Sequence, residues 1–147
     1  MAICASGVHP KIRRACTWSF TKMGEDIVAF WEPESHYQGW LETLHGGIQT
    51  TMMDELAGWV VLRKLQTSGV TSRLDARFLK SISTREPRLM IRGRIKEQKR
   101  NAIFIETEIY NSQNELCSRR TSYILSSQKN RRRRSFILPV VRPKMKK

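Results

Sequence analysis

His45-Gly46-Gly47, with Asp54 nine residues after the histidine, holds the chemistry this chain can offer. Consecutive glycines let a backbone approach a ligand with no Cβ in the way. If a helix begins there, its first N–H groups have no intrahelical partners and point outward. Such donors suit a polarised carbonyl oxygen. Asp54 lies in the apolar stretch Ile48 to Val60, where an acid needs a reason. It is either a reactive carboxylate or an acid on the polar side of an amphipathic helix. Gly47 and Asp54 are seven residues apart, so about 700° of rotation brings them to nearly the same face. The same seven residues rise about 10.5 Å, too far for one helix to present both groups to one carbonyl. Two antiparallel helices across a two-fold axis can do so, with donors from one protomer and the acid from its partner.

The elements that must position these residues follow from periodicity. Thr17–Phe20 and Ile27–Trp31 read as strands around a turn at Lys22-Met23-Gly24-Glu25, and Pro33 stops the second. His36 to Thr43 reads as a loop. From Gly46 to about Lys64 the pattern is helical, with Ile48, Met52, Leu56 and Trp59 on one stripe. Val60, Val61 and Leu62 extend the apolarity, so the helix is expected to be covered on most sides. The period then becomes two. Val70–Leu79, Arg88–Glu97, Ala102–Tyr110 and Glu115–Leu125 read as strands, the clearest having Leu89, Ile91, Gly93 and Ile95 on one face. Two strands, one long helix and four strands predict an α+β fold, an antiparallel sheet curled around the helix.

The segment Leu44 to Val60 resembles the signature of the hotdog-fold acyl-CoA thioesterases of the phenylacetate-pathway (PaaI-like) group. Thr71-Ser72-Arg73-Leu74-Asp75-Ala76-Arg77-Phe78-Leu79 resembles that family's next strand, and the likeness covers about residues 18–127. It implies the hotdog fold, an antiparallel sheet wrapped around one long central helix. It also implies an obligatory dimer, or a dimer of dimers, and an acyl-CoA substrate. The Gly47 N–H, alone or with a neighbouring amide of the Gly46-Gly47 corner, would polarise the thioester carbonyl. Asp54 would activate water or attack directly, and the residues leave that choice open. His45 would fix the turn or orient the thioester. Thr71 aligns with a Ser or Thr near the attacking water, and reads equally as a β-branched strand residue. Glu55, a further 100° round the helix, reads as a surface or ion-pairing residue. The chain departs from the pattern at Gly39, where several relatives carry Asn, and Gln38 or His36 would have to supply that contact. Phe78, Trp40, Trp59 and Met53 read as pocket lining or plain core. Arg73, Arg77, Lys80, Lys99 and Arg100 are candidates for coenzyme A phosphates. No resident cofactor or metal is expected, because donors and base are already in the chain.

One domain fits 147 residues. The expected division is a loose segment over 1–16, a hotdog domain over 17–127 and a basic extension over 128–147. Of the 27 basic residues, 11 lie from Arg119 onward with no acid after Glu115, so most of the +14 charge is assigned to the C-terminal end. Arg131–Arg134 could attract phosphates, but Phe136 is the sole aromatic after Tyr123, which argues against a nucleic-acid platform. No apolar run approaches the ~20 residues of a membrane span. Met1–Gly7 does not read as a secretory signal. Cys4, Cys16 and Cys117 are isolated and odd in number, which favours reduced thiols in a cytosol. Three readings follow: a thioester hydrolase, a non-catalytic acyl-CoA-binding module, and a nucleic-acid binder working through the tail.

Overall fold

Alternating strand residues fix one face of a sheet, and the computed structural model, which describes residues 19–126, shows what that face packs on. The elements are β1 (Ser19–Met23), β2 (Asp26–Trp31), β3 (Gln38–Trp40), β4 (Thr43–Leu44), α1 (Gly46–Leu65), β5 (Gly69–Phe78), β6 (Leu89–Lys99), β7 (Ala102–Tyr110) and β8 (Leu116–Ser126). Six strands form an antiparallel sheet in the order β1-β2-β6-β7-β8-β5, and α1 packs across its inner face. This is the expected α+β hotdog architecture. The segments 1–16 and 128–147, Thr17, Trp18, Cys4 and Cys16 lie outside the described residues.

Two local expectations are corrected. The first turn is tighter than expected: β1 continues to Met23, and Gly24, at φ 60°, turns the chain with Glu25. The segment His36–Thr43 is not a loop throughout. A single 3₁₀ turn over Ser35–Tyr37 leads into the small hairpin β3–β4, where Glu42 takes a left-handed φ of 56°. Local residue types do not signal this hairpin, because tertiary bonds hold it: Leu44 N–H donates to Ile82 O at 2.8 Å and Thr84 N–H to Glu42 O at 2.9 Å.

The helix buries Gln49, Met52, Met53, Leu56, Ala57, Val60 and Val61 against Ile91, Ile103, Ile105, Ile109 and Ile124. Its buried stripe therefore runs through Val60, and Trp59 stands at the rim. There Trp59 donates from its indole N–H to Glu55 at 3.3 Å, with the Arg63 guanidinium 5.4 Å from its ring centroid. Thr51, Glu55, Gly58 and Leu62 are exposed, so one helix face is uncovered in the single chain, contrary to the expectation of cover on most sides. Gly93 allows close helix–sheet approach, since a Cβ there would lie 2.9 Å from Val60 Cγ2.

The outer face of the sheet is a charge ladder. Arg94 sits opposite Glu106 and donates to it at 2.6 and 3.1 Å, while Lys96 reaches its other oxygen at 2.8 Å. Arg119 binds Glu108 at 2.7 Å, and Tyr110 donates to Glu108 at 2.9 Å. Burial pushes the Glu106 carboxyl up, but hydrogen bonds from Lys96 and Arg94 outweigh it and hold the group below the ordinary carboxylate range. A depressed folded-state value stabilises above the unfolded carboxyl's range, and that contribution is lost as pH falls through the folded value. Glu106→Gln should therefore lower the melting temperature most at about pH 7, with the gap to the parent closing toward about pH 3. A thermal melt series that shows a constant gap across this range would refute the assignment.

Candidate active site

The glycine corner is built by its own histidine. His45 is the N-cap of α1, and its Nδ1 accepts from the Gly47 N–H at 2.8 Å. In the neutral ring this bond places the proton on Nε2, which is left as a donor. The histidine is held from behind by its own N–H, which donates to Tyr37 O at 3.0 Å. Its ring rests on Gly39, where an added Cβ would lie 2.4 Å from His45 Cδ2. Gly39 thus leaves the space that the His45 ring occupies. Within the chain, Gln38 accepts from the Glu42 N–H at 3.1 Å, and His36 lies 3.5 Å from Glu34 and against the Tyr37 ring.

Capping changes which amide can act on a ligand. The Gly47 N–H, expected as the oxyanion donor, is bonded to His45 Nδ1 in the single chain. Gln49 N–H donates to His45 O at 3.1 Å, so the Gly46 and Ile48 amides remain without bonds to described residues. The Phe78 ring covers Gly46, with its Cζ 3.2 Å from where a Cβ would stand. Phe78 is 53% exposed, whereas Met53 is plain core and Trp40 stands exposed on the β3–β4 hairpin.

Asp54 lies two turns along the helix, its side chain 47% exposed. Its Oδ1 accepts from Thr71 Oγ1 at 2.9 Å and from Arg120 Nη2 in a short charge-assisted bond. Strand β5 follows the helix directly and brings Thr71 beside Asp54, a contact the sequence did not specify. Oδ2 has no bond to a described residue and is free to act. Glu55 points to the surface and accepts only from Trp59 among the bonds described.

Arg120 is the residue beside Asp54 that the sequence reading missed. Both Arg119 and Arg120 belong to β8 and not to the basic extension. Arg119 faces the outer ladder, while the next residue points inward and is 0% exposed. Ser118, Arg120 and Ser122 put polar groups on the inner face of β8, where Ser118 donates to Gln49, which in turn donates to Leu44 O at 3.1 Å. The signal that could have revealed it is the alternation Leu116, Ser118, Arg120, Ser122, Ile124. A central strand with no continuous apolar face must have polar partners inside.

The candidate phosphate ligands are mostly engaged within the chain. Lys80 pairs with Glu115 at 2.6 Å, Lys99 with Glu97 at 2.8 Å and Arg77 with Asp75 at 4.0 Å, while Arg73 lies over the Tyr123 ring. Arg100 occupies the β6–β7 turn at φ 50°. Burial pushes the Cys117 thiol up, which makes it a poor nucleophile. Among the described residues no cluster of three His, Cys, Asp or Glu could hold a metal, and no helix is long and apolar enough to cross a membrane.

Comparison with solved structures finds the same fold. A hypothetical thioesterase of Streptococcus pneumoniae TIGR4 solved with coenzyme A is 22% identical, with 75% of this chain and 88% of that one covered and a TM-score of 0.69. A Streptococcus mutans UA159 protein solved with acetyl CoA is 18% identical, with 82% and 96% covered and a TM-score of 0.71. A phenylacetic acid degradation-related protein of Ralstonia eutropha JMP134 is 16% identical, with 75% and 85% covered and a TM-score of 0.67. Comparison with curated proteins finds no match. The family model described as the thioesterase superfamily matches residues 41–118, a span that runs from the hairpin before the capping histidine through Asp54 and Thr71 into β8. With its helix–sheet architecture, this match makes the chain a member of the thioesterase superfamily with the hotdog fold.

Proposed function

We propose that this protein hydrolyses a small or medium acyl- or aryl-CoA thioester to a carboxylate and free coenzyme A. The observation that carries the reading is a half-exposed carboxylate with one oxygen held by two donors and the other free, on the helix whose N-terminus offers unspent amides. The thioester carbonyl would sit against the Gly46 N–H and the His45 Nε2–H. Asp54 Oδ2 would take a proton from water as the water oxygen adds to the carbonyl carbon. The oxyanion would then collapse, expelling the coenzyme A thiolate, which recovers the proton from Asp54. Direct attack by Oδ2 to give a mixed anhydride uses the same atom. The solved neighbours that hold coenzyme A and acetyl CoA favour this substrate class.

Gly46 and Asp54 are eight residues apart on one helix, about 12 Å of rise, so the complete site needs a second copy of the chain. Strand β5 is suited to that interface. It is a sheet edge, and Val70, Leu74 and Phe78 on it are 73%, 47% and 53% exposed. Edge strands of this length are templates for pairing. Residues 128–147 are read as an accessory to hydrolysis, and removing them should leave turnover intact. The alternative, acyl-CoA binding without turnover, is favoured only by Gly39 standing in the asparagine position.

Asp54→Asn should reduce thiol release from acyl-CoA by about a hundredfold or more while coenzyme A binding persists; an unchanged rate in a coloured-thiol assay would end the hydrolase reading, and wild-type binding with no release would favour the binding module. Gly39→Ala should push His45 aside and cost about tenfold or more in kcat, since misplaced donors act poorly; equal turnover would show that the histidine turn is dispensable. Leu74→Glu should give monomers by light scattering and lose hydrolysis with them. A fully active monomer would refute the shared site.

A further inference from the structure

A wholly buried arginine whose one carboxylate partner is half exposed is a poor stability device. Arg120 is 0% exposed and Asp54 47%, so the cation has given up its water for an anion that keeps much of its own. Burying a guanidinium costs several kcal/mol, and an apolar residue of similar volume often serves stability as well or better. The arginine is also incompletely satisfied: among the described residues its Nε has no partner, nor does the hydroxyl of Thr107, its register partner on β7. What its remaining donors do is specific. Nη1 binds Thr50 O at 3.1 Å and Nη2 binds Asp54 Oδ1. The planar fork therefore grips the helix backbone one turn before Asp54 and the carboxylate itself.

We propose that Arg120 is a positioning residue for Asp54. It turns Oδ1 into the protein, leaves Oδ2 without a bond to a described residue, and fixes the carboxylate relative to a thioester held by the partner protomer. Thr71 completes the clamp on the same oxygen from β5. Strand β8 is hydrogen-bonded on both sides, by β7 and β5, so the arginine acts from a strand held along both edges. This inference rests on the hydrolase reading above and adds a residue to its machinery.

The test uses the full chain and two independent readouts. In melting experiments, Asp54→Ala strands a buried cation, so it should lower the melting temperature by several degrees. An unchanged or raised value would overturn the pairing, since an acid without a buried partner leaves nothing stranded. In kinetics with acyl-CoA, Arg120→Met should lower kcat by about a hundredfold with KM within about threefold, because Arg120 touches no substrate. Arg120→Lys should recover part of that loss, as should millimolar guanidinium added to Arg120→Ala. Wild-type kcat in Arg120→Met, or a loss that neither the lysine nor guanidinium relieves in folded protein, would overturn the positioning role. If the arginine variants fail to fold, Thr71→Val provides the second variant: a fall in kcat at constant KM supports the clamp, and no change refutes it. A wild-type chain that releases no thiol from any acyl-CoA, with Asp54→Ala still melting lower, would overturn the hydrolase reading and leave the pair standing.

Discussion

One carboxylate oxygen ties three elements of this fold together. Oδ1 of Asp54, on α1, accepts from Thr71 on β5 and from Arg120 on β8. The helix otherwise meets the sheet through apolar contact, which is non-directional and would tolerate rotation or sliding. Directional bonds at Asp54, at Thr50 O and at Gln49 remove that freedom and fix the helix in rotation and register. The polar inner face of β8 is the cost of this, and Ser118, Arg120 and Ser122 stand where a sheet built only for stability would place aliphatic residues.

The N-terminus of α1 shows the same economy at shorter range. His45 serves as a cap, and in doing so decides which amides stay available. Its ring needs the space over Gly39, so a glycine some distance upstream and the helix cap are one structural unit. The β3–β4 hairpin and its bonds to Ile82 and Thr84 hold that unit against the chain between β5 and β6. A ligand carbonyl arriving at Gly46 would thus meet a preset corner, with Phe78 from the next strand forming its apolar wall.

The two faces of the sheet divide the work. The outer face carries Arg94, Lys96, Glu106, Glu108 and Arg119 in a ladder of close pairs, charges that offset one another across neighbouring strands. The inner face carries the core and the carboxylate clamp. Strand β5 belongs fully to neither, because it lies at the edge with both faces mostly exposed. That edge and the helix face at Thr51, Glu55 and Gly58 are left uncovered in the single chain.

Much of this was legible in the sequence. A change of period from 3.6 to 2 at Gly69 marks the end of the helix, and the alternation of Leu89, Ile91, Gly93 and Ile95 names the inner face of β6, because side-chain direction follows backbone geometry alone. His45, Gly46, Gly47 and Asp54 could be singled out because their spacing and types are local properties, whereas Thr71 came from the family resemblance alone. What the sequence could not decide was partnership across the fold. That Arg120 turns inward while Arg119 turns out, that His45 consumes the Gly47 amide, and that Gly39 makes room for a ring all depend on which strands become neighbours. Only the closed sheet brings residues 66 positions apart, Asp54 and Arg120, into one hydrogen bond. Pattern fixes which way each residue faces, and packing alone determines what it meets.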